Sequence, residues 1–374
     1  MPFDPAPTVA ARAKRVLRFR LKDKHAKWLS ELAREVNFVW NYCNELSYRV
    51  WERERRFLSG FDLQGYLNGA SKEGLRIGSA VFQQVAEELA ARRKQHKKVR
   101  LAWRKSRGAR RSLGWIPFKA RTLTYRSGQV WFSRRPLSLW DSYGLPQYAE
   151  HLRAGCFAED ARGRWYLNVV VEVEVAEQPK AAAEDIVAGR AQDIGIDLGL
   201  KELACLSDGS KIERTKFFGE IEEKLAVAQR ANKKGRVRAL HAQAAHKRKD
   251  FLHKESTRLV RRNDAIYVGN VNAAAMAKTK RGKSSLDAGW SMFRTLLRYK
   301  CDDAGVRFVE VDERYTTRTC SDCGLVGGPK GIAGLGIRGW TCVGCGATHD
   351  RDTNAAKNIL ARGRARLAEG ILRL

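Results

Sequence analysis

Long apolar runs are missing from this chain of 374 residues. No stretch of about 18 or more apolar residues occurs, which a membrane-spanning helix would need. The amino terminus also lacks the apolar core of a secretory signal peptide. We therefore expect an intracellular, cytoplasmic protein with no membrane partner. The length is sufficient for two or three domains, each with its own core.

Acidic residues are scarce relative to basic ones. The chain has 41 Asp and Glu against 71 Lys and Arg, which gives a formal net charge of +30. Such a chain repels itself unless a polyanion neutralises it, and phosphates release counterions when cations bind them. A surface charged only for solubility would not need so large an excess. The charge therefore indicates nucleic acid as the partner.

Half of the eight cysteines lie in one short region. They form two CxxC pairs, Cys320-Ser-Asp-Cys323 and Cys342-Val-Gly-Cys345, separated by 18 residues. Each pair can present two thiolates on one turn, so the spacing predicts one tetrahedral structural zinc held by four sulfurs. The remaining cysteines lie in apolar contexts and are expected to be buried free thiols in a reducing compartment: Cys43, Cys156, Cys205 and Cys301.

The first half of the chain changes its periodicity. Residues 14–21 alternate basic and apolar, as a half-exposed strand does, and helical periodicity follows from Asp23 and again around Ile77–Val99. Aromatic side chains on the first helix are interpreted as core residues rather than base-stacking ones. Four later segments resemble hairpins of an antiparallel barrel: Trp115–Phe118, Thr122–Tyr125, Val130–Phe132 and Trp165–Val175. The predicted domains are a β-barrel over residues 1–22 and 113–177, a helical insertion over 23–112, and a linker over 178–191.

A basic run extends from Arg92 to Arg111 and includes Trp103 and Gly108. Such a run is commonly a solvated face. Because cations here alternate with an aromatic side chain, we predict instead that it follows a nucleic-acid backbone. The candidate contact residues are Arg104, Lys105, Arg107, Arg110 and Arg111.

The sequence of the second half of the chain predicts an RNase H-like α/β domain. A strand leads into Asp197 and continues as a hairpin, and residues 219–262 are predicted to be a helical hairpin. A strand at residues 265–268, a helix at 284–304 and a strand at 306–311 follow. A hairpin followed by strand–helix–strand is the order of an RNase H-like sheet. The nuclease domain is predicted to comprise residues 192–316 and 348–374, with a zinc ribbon at 317–347.

Two acidic positions suit a divalent-metal nuclease. Asp197 ends an apolar strand, and Asp352 opens a helix directly after the second CxxC pair. Hydrolysis of phosphodiesters by two metal ions requires carboxylates around magnesium ions about 3.5–4 Å apart. The alternatives are a strand-end carboxylate for Asp197 and a helix N-cap for Asp352.

These motifs together resemble the TnpB family of transposon-encoded, RNA-guided DNA nucleases, which are related to compact type V CRISPR effectors. The matching segments are Gly195-Ile-Asp197-Leu-Gly199, Trp290-Ser-Met-Phe-Arg294, Tyr315 to Gly324, Cys342 to Gly346, and His349-Asp-Arg-Asp352-Thr-Asn354. The first half of the chain resembles the family in organisation, with wedge-like and recognition-like regions.

One departure concerns the family's second acidic residue. The strand that should lead to it reads Ala265-Ile-Tyr-Val268 and continues with Gly269, which cannot bind a metal. The next strand offers Glu310, Asp312 and Glu313. Because adjacent strands lie about 4.8 Å apart, a side chain at the end of one can reach above its neighbour. Glu313 is predicted to be the relocated acid, and the alternative is a surface carboxylate paired with a neighbouring arginine.

The resemblance implies a prokaryotic, nucleoid-associated monomer that binds guide RNA and cuts target DNA beside a short flanking motif. Asp197, Glu313 and Asp352 would hold catalytic magnesium, with two ions expected. Two alternatives exist: a nuclease-dead, RNA-guided repressor, which Gly269 would explain, and a recombinase that acts without RNA.

Overall fold

The chain separates into two compact units, residues 12–173 and the residues from 174 onwards. The computed structural model describes residues 12–70, 74–176, 178–270, 289–330 and 333–371. Within these residues, no helix is both long and apolar enough to cross a membrane.

The first unit combines helices with antiparallel strands. Its helices are α1 (Ala26–Glu54), α2 (Gly60–Tyr66) and α3 (Ser79–His96), with short 3-10 turns at Asp23–His25 and Leu145–His151. Its strands are β1 (Arg12–Leu21), β2 (Trp115–Phe118), β3 (Leu123–Arg126), β4 (Gln129–Phe132), β5 (Arg135–Leu137), β6 (Leu139–Trp140), β7 (Leu152–Glu159) and β8 (Trp165–Glu174).

The strands of this unit form two sheets, ordered β2-β7-β8-β1-β6 and β3-β4-β5. Phe118, Phe132 and Phe157 join them, with ring centroids 4.8 to 5.9 Å apart in a shared core. The individual strands predicted for the barrel are confirmed. Among the described residues their pairings make two sheets, so barrel closure stays a prediction. Strands β5, β6 and β7 were not predicted.

Helix α1 was predicted as an amphipathic helix and is confirmed. It spans 29 residues, and its apolar stripe is buried in the core that it shares with α3 and the sheets. Trp40 is buried with this stripe, whereas Trp51 is half-buried and stacks between Tyr48 and Phe57. The core interpretation therefore applies to Trp40.

The second unit is built around a mixed sheet. Its helices are α4 (Ala183–Val187), α5 (Gly219–Arg230), α6 (Lys234–Arg262), α7 (Trp290–Ala304) and α8 (Arg351–Ile371), with a 3-10 turn at Ala333–Gly336. Its strands are β9 (Asp193–Leu198), β10 (Ala204–Leu206), β11 (Lys211–Ile212), β12 (Ala265–Gly269), β13 (Arg307–Val311), β14 (Gly339–Thr341) and β15 (Thr348–Asp350).

The strand order of the main sheet is β11-β10-β9-β12-β13. Strand β10 is antiparallel to β9, as the predicted hairpin requires, while β9, β12 and β13 are parallel. The helical hairpin α5–α6 and the succession β12–α7–β13 are also confirmed. Residues 284–288 of the predicted second-half helix lie outside the described residues. Parallel strands place their carboxyl ends at one edge of the sheet, where ligands bind in open α/β folds.

The prediction of a linker over residues 178–191 is wrong for its central part. Residues 183–187 form α4, whose Ile186 is fully buried beside Tyr267 and Ile359. One apolar side chain in so short a helix leaves no periodic pattern in the sequence, which explains the error.

Helix α8 packs directly on β9 because Gly195 has no side chain. A Cβ at Gly195 would lie 2.2 Å from the carbonyl oxygen of Ala356 and 2.8 Å from the nitrogen of Leu360. Both are backbone atoms of α8, so they cannot move without moving the helix. Gly195 therefore sets the distance between the strand that carries Asp197 and the helix that carries Asp352.

We predict that Gly195→Ala lowers the free energy of unfolding by more than about 2 kcal/mol, because overpacking here must displace backbone. Denaturant titration followed by circular dichroism measures the change. Gly370→Ala, in the last turn of α8, meets nothing within 4 Å and serves as the control. Its stability should stay unchanged or rise slightly, because alanine favours the helix. Equal stability of the two variants would contradict the close-packing argument.

Candidate active site and metal centre

The four cysteines of the two CxxC pairs converge on one point. Their ligand atoms all lie within 4.8 Å of one another. The sulfurs of Cys320 and Cys345 are 3.7 Å apart, and those of Cys323 and Cys342 are 3.6 Å apart. A zinc–sulfur bond of about 2.3 Å in a tetrahedron gives a sulfur–sulfur edge of about 3.8 Å. The geometry suits one tetrahedrally bound ion.

Backbone groups stabilise the thiolate of one ligand, Cys342. Backbone N–H groups of Cys345 and Gly344 lower the pKa of Cys342 to about 7. His349 is buried against Trp340, and its Nε2 lies 3.0 Å from the sulfur of Cys320. The sequence interpretation needed no histidine at this centre. His349 is instead a buried neighbour that contacts the sulfur of Cys320.

Two asparagines fasten the start of the ribbon to α8. Asn354 and Asn358 each donate from Nδ2 to the carbonyl oxygens of Thr316 and Thr319, at 2.7 to 3.1 Å. Asn354 also accepts the N–H of Ser321 at 2.9 Å. Sequence reasoning gave these asparagines no role. Their signal was two asparagines in the interior of a helix, a position that asparagine otherwise disfavours.

Strand register places Asp197 at the same level of the sheet as Gly269, the position at which an acidic residue was expected. Ile196 pairs with Val268 in the parallel β9–β12 ladder, so Asp197 is one step further along, as Gly269 is. Gly269 in turn pairs with Val311 of β13. Asp197 and Gly269 therefore lie at the carboxyl ends of adjacent strands, and the chain beyond β13 leads directly to Glu313.

The side chain of Glu313 lies over Gly269. A Cβ at Gly269 would be 3.0 Å from Glu313 Oε2 and 3.4 Å from Glu313 Cβ. The N–H of Glu313 also donates to Asn270 Oδ1 at 3.3 Å. The Glu313 carboxylate thus takes the space that a side chain at position 269 would need.

The other two acids near the end of β13 have arginine partners. Glu310 bridges Arg294, at 3.3 Å, and Arg298. Asp312 is exposed and pairs with Arg314 at 2.7 Å. Among the three acids weighed for this role, Glu313 is the one that lies against Gly269.

Asp352 lies in the first turn of α8 but is not the cap of that helix. Asp350 Oδ1 accepts the N–H groups of Asp352 and Thr353, at 3.1 and 2.9 Å, which is the N-cap arrangement. The N-cap alternative for Asp352 is therefore wrong. Its own carboxylate accepts a hydrogen bond of 2.6 Å from Arg338.

The charges of Asp352 and Glu313 affect the pKa of Asp197. Burial raises the pKa of Asp197 well above its ordinary value, and the negative charges of Asp352 and then Glu313 raise it further, against a smaller opposing effect of Arg351. Burial also raises the pKa of Glu313. Among the described residues, the three carboxylates are less tightly gathered than the cysteines. They form a negatively charged group that a cation would stabilise.

The basic run divides into two kinds of residue. Arg104 donates to Asn37 Oδ1 at 2.6 Å and to the carbonyl of Leu113 at 2.8 Å, and Arg111 forms two hydrogen bonds with the buried Glu159. Both arginines were predicted to contact nucleic acid, but hydrogen bonds within the first unit already occupy their guanidinium groups. The exposed members without a side-chain partner in the described structure are Lys105, Arg107 and Arg110.

Two protein families match the chain. The family described as "Cas12f1-like, TNB domain" matches residues 290–359, and the family described as "Probable transposase" matches residues 168–280. The first match includes α7, both CxxC pairs and the first turns of α8. The second begins within β8 and extends through the β9–β10 hairpin and β12.

Individual relatives extend the likeness to the whole chain. A Streptomyces pristinaespiralis protein, provisionally named an RNA-guided DNA endonuclease, is 31% identical over 382 residues, covering 96% of this chain and 92% of that protein. The similarly named InsQ of Escherichia coli K12 is 30% identical over 236 residues, covering 56% of each. The fold resembles that of Cas12f1 in a cryo-EM complex with sgRNA and target DNA (TM-score 0.58, 12% identity, 91% of this chain and 83% of that one). The chain belongs to the TnpB family.

Proposed function

We propose that this chain is an RNA-guided DNA endonuclease that hydrolyses target DNA with divalent metal ions. The observation that supports it most is the group formed by Asp197, Glu313 and Asp352, in which each carboxylate comes from a different element of the second unit. Guide RNA would select the target by base pairing, and the protein would read a short flanking motif. The repressor alternative rested on the lack of an acid at Gly269. It is weakened because the Glu313 carboxylate lies over Gly269.

The domain proposal follows the predicted boundaries. Residues 192–316 and 348–374 would form a RuvC-like nuclease domain, because its hairpin and two further parallel strands have the expected order. Residues 317–347 would be its zinc ribbon. In the first unit, a wedge-like barrel would carry a helical recognition insertion at 23–112. We further propose that the protein acts as a monomer.

Magnesium suits the acidic group because hard cations prefer carboxylate oxygens. Bound divalent ions would supply activation of water and stabilisation of the leaving 3′ oxygen. Asp197, Glu313 and Asp352 would hold these ions. Arg338 is paired with one oxygen of the Asp352 carboxylate, so the other oxygen, Oδ1, would bind a cation. Two ions about 3.5–4 Å apart need a wider group of ligands than one zinc does.

Zinc suits the cysteine group because four thiolates complete its tetrahedron. Its role would be structural. Ser321 follows the first ligand, Cys320, and its N–H donates a hydrogen bond to Asn354 of α8. Zinc bound by Cys320 would therefore fix the ribbon relative to the helix turn that carries Asp352. Nucleic acid would meet Lys105, Arg107 and Arg110, whose charges are exposed.

Our main test of the proposed nuclease is Glu313→Gln. The variant, loaded with guide RNA, should lose magnesium-dependent cutting as completely as Asp197→Ala or Asp352→Ala, while its guided binding to DNA persists. Glutamine keeps the shape of the side chain but removes the charge that attracts the cation. Glu310→Gln and Asp312→Asn are the matched controls, because their carboxylates bind arginines, and both should cut. Wild-type protein that binds its target but never cuts with Mg²⁺ or Mn²⁺ would instead support the repressor.

Moving the acid back tests the relocation itself. Glu313→Ala removes the side chain that occupies the space at position 269, and Gly269→Glu then restores a carboxylate beside Asp197. We predict that the double variant cuts better than either single variant. Gly269→Glu alone should cut poorly because its Cβ would crowd Glu313 Oε2. A double variant as inactive as Glu313→Ala would argue against this exchange.

The raised pKa of Asp197 has a consequence for stability. We predict that Asp197→Asn increases the free energy of unfolding at pH 7 in EDTA. Ionising Asp197 costs more free energy in the folded chain than in the unfolded one. Ionised Asp197 therefore lowers the stability of the fold, and this effect is fully present at pH values above its pKa in the folded chain. The advantage of the variant should therefore shrink as pH falls towards about 4, the ordinary carboxyl value.

Asp312→Asn is the control for that measurement. A backbone N–H and the guanidinium of Arg314 lower the pKa of Asp312, so its removal should bring no gain at pH 7. Added Mg²⁺ should stabilise the wild-type chain more than Asp197→Asn. A less stable Asp197→Asn at pH 7 in EDTA would contradict the electrostatic argument.

Elemental analysis tests the ribbon. We predict about one zinc per purified chain, and its loss in Cys323→Ser or Cys342→Ser, because a fourth thiolate is needed to close the tetrahedron. Cutting should fall together with zinc content. Cys156→Ser, a free thiol in the first unit, should keep its zinc. Full zinc content in Cys342→Ser would show that the metal lies elsewhere.

A further inference from the structure

A cavity of about 730 Å³ in the first unit is lined by three tryptophans, Trp40, Trp103 and Trp115. Trp40 and Trp115 meet edge to face, with ring centroids 6.1 Å apart. Trp103 is different, since 49% of its surface is exposed. The volume is in the range of about 300–1,000 Å³ that is typical of small-molecule sites.

The backbone on either side of Trp103 is held on α1 by asparagine side chains. Asn44 exchanges two hydrogen bonds with the backbone of Leu101, at 2.8 and 3.0 Å. Asn41 exchanges two with the backbone of Arg104, at 2.9 and 2.8 Å. Trp103 lies between these two anchored residues. The backbone that carries its ring is therefore fixed before any ligand arrives, which lowers the entropy lost on binding.

The charged residues of the cavity leave an excess of cations. Glu88 is paired with Arg92 at 2.7 Å, and the buried Glu159 is paired with Arg111. Both acids of the lining are thus already neutralised. In the described structure Arg104 and Lys98, which also line the cavity, have no carboxylate partner. Trp40 Nε1 is buried there without a hydrogen-bond acceptor.

An aromatic wall beside an unpaired cation suits a flat base joined to a phosphate. We propose that this cavity binds one unpaired nucleotide of a single strand, with its base stacked on Trp103 and its phosphate near Lys98. Stacking on an aromatic ring tolerates any base and suits strands held without sequence readout. The inference depends on the proposed function only in requiring that the chain binds nucleic acid. The strand can be RNA or DNA, and the two are separated by experiment.

The test compares Trp103→Ala with Trp140→Ala. Trp140 belongs to the same unit, is 54% exposed and has Lys22 3.7 Å above its ring, so it controls for loss of an exposed indole. The probes are fluorescein-labelled hexa-adenylates of RNA and of DNA, titrated against full-length protein in EDTA so that no cutting occurs. We expect Trp103→Ala to bind about tenfold more weakly, since stacking contributes about 1–3 kcal/mol per base. Trp140→Ala should bind as wild type does, and Trp103→Phe should keep most of the affinity.

Salt dependence separates stacking from charge. Replacing Lys105, Arg107 and Arg110 together by alanine should flatten the plot of log affinity against log salt, because phosphate contacts are lost. Trp103→Ala should keep the wild-type slope and shift the whole line. The RNA probe or the DNA probe, whichever loses affinity in Trp103→Ala, identifies the bound strand.

Two results would overturn the proposal. One is equal affinity of Trp103→Ala and Trp140→Ala for both probes. The other is wild-type protein that binds an abasic hexamer as tightly as hexa-adenylate, a measurement that does not depend on how any variant folds. The nuclease proposal is tested separately, because Glu313→Gln should keep base-dependent binding. Base-dependent binding without cutting would support this nucleotide site and contradict the nuclease proposal.

Discussion

The negative charge that surrounds the buried Asp197 is the constraint on which the second unit is built. The charges of Asp352 and Glu313 add to the effect of burial and raise the pKa of Asp197, so holding the two acids near it opposes electrostatic repulsion. Helix α8 resists this because its backbone rests on β9 at Gly195. The asparagines of α8 hold the incoming chain, and β12 and β13 fix the third acid by strand register. Packing energy from this core thus supports an electrostatically unfavourable arrangement, as expected for a site that binds cations.

In the proposed exchange between Gly269 and Glu313, the position of a charge in space matters more than its position in the chain. Strand β12 ends without an acid, and the chain that follows β13 places the Glu313 carboxylate over Gly269. The exchange requires glycine at 269, because a Cβ there would meet the Glu313 carboxylate at 3.0 Å. Gly269 thus makes room for Glu313, the acid that we propose as the replacement.

Sequence patterns predicted the elements whose signals are local. The periodicity of α1, the hairpin of β9 and β10 and the spacing of the cysteines were sufficient for those parts. Glu313 could be selected because strand ends are recognisable. The anchoring roles of Asn354 and Asn358 and the bond of Arg104 to Asn37 were not predicted, because each depends on a partner distant in sequence. The capping role of Asp350 has local partners, but Asp352 offers a second carboxylate at the same helix start and was taken as the alternative cap. Short strands such as β5 and the buried helix α4 carry too few residues for a periodic signal.

Both units use asparagine where an irregular segment must be fixed to a helix. In the first unit Asn41 and Asn44 bind the chain around Trp103, and in the second Asn354 and Asn358 bind the entry to the ribbon. An amide offers a donor and an acceptor together, so it can satisfy a backbone N–H and a carbonyl that no strand pairs. An aspartate in the same place could accept but not donate, and would bring a negative charge. Beside the basic run that charge would cancel part of the attraction for phosphates, and beside Asp352 it would add to the repulsion. Neutral anchors therefore leave the cationic surface and the acidic group with the charges on which their proposed roles depend.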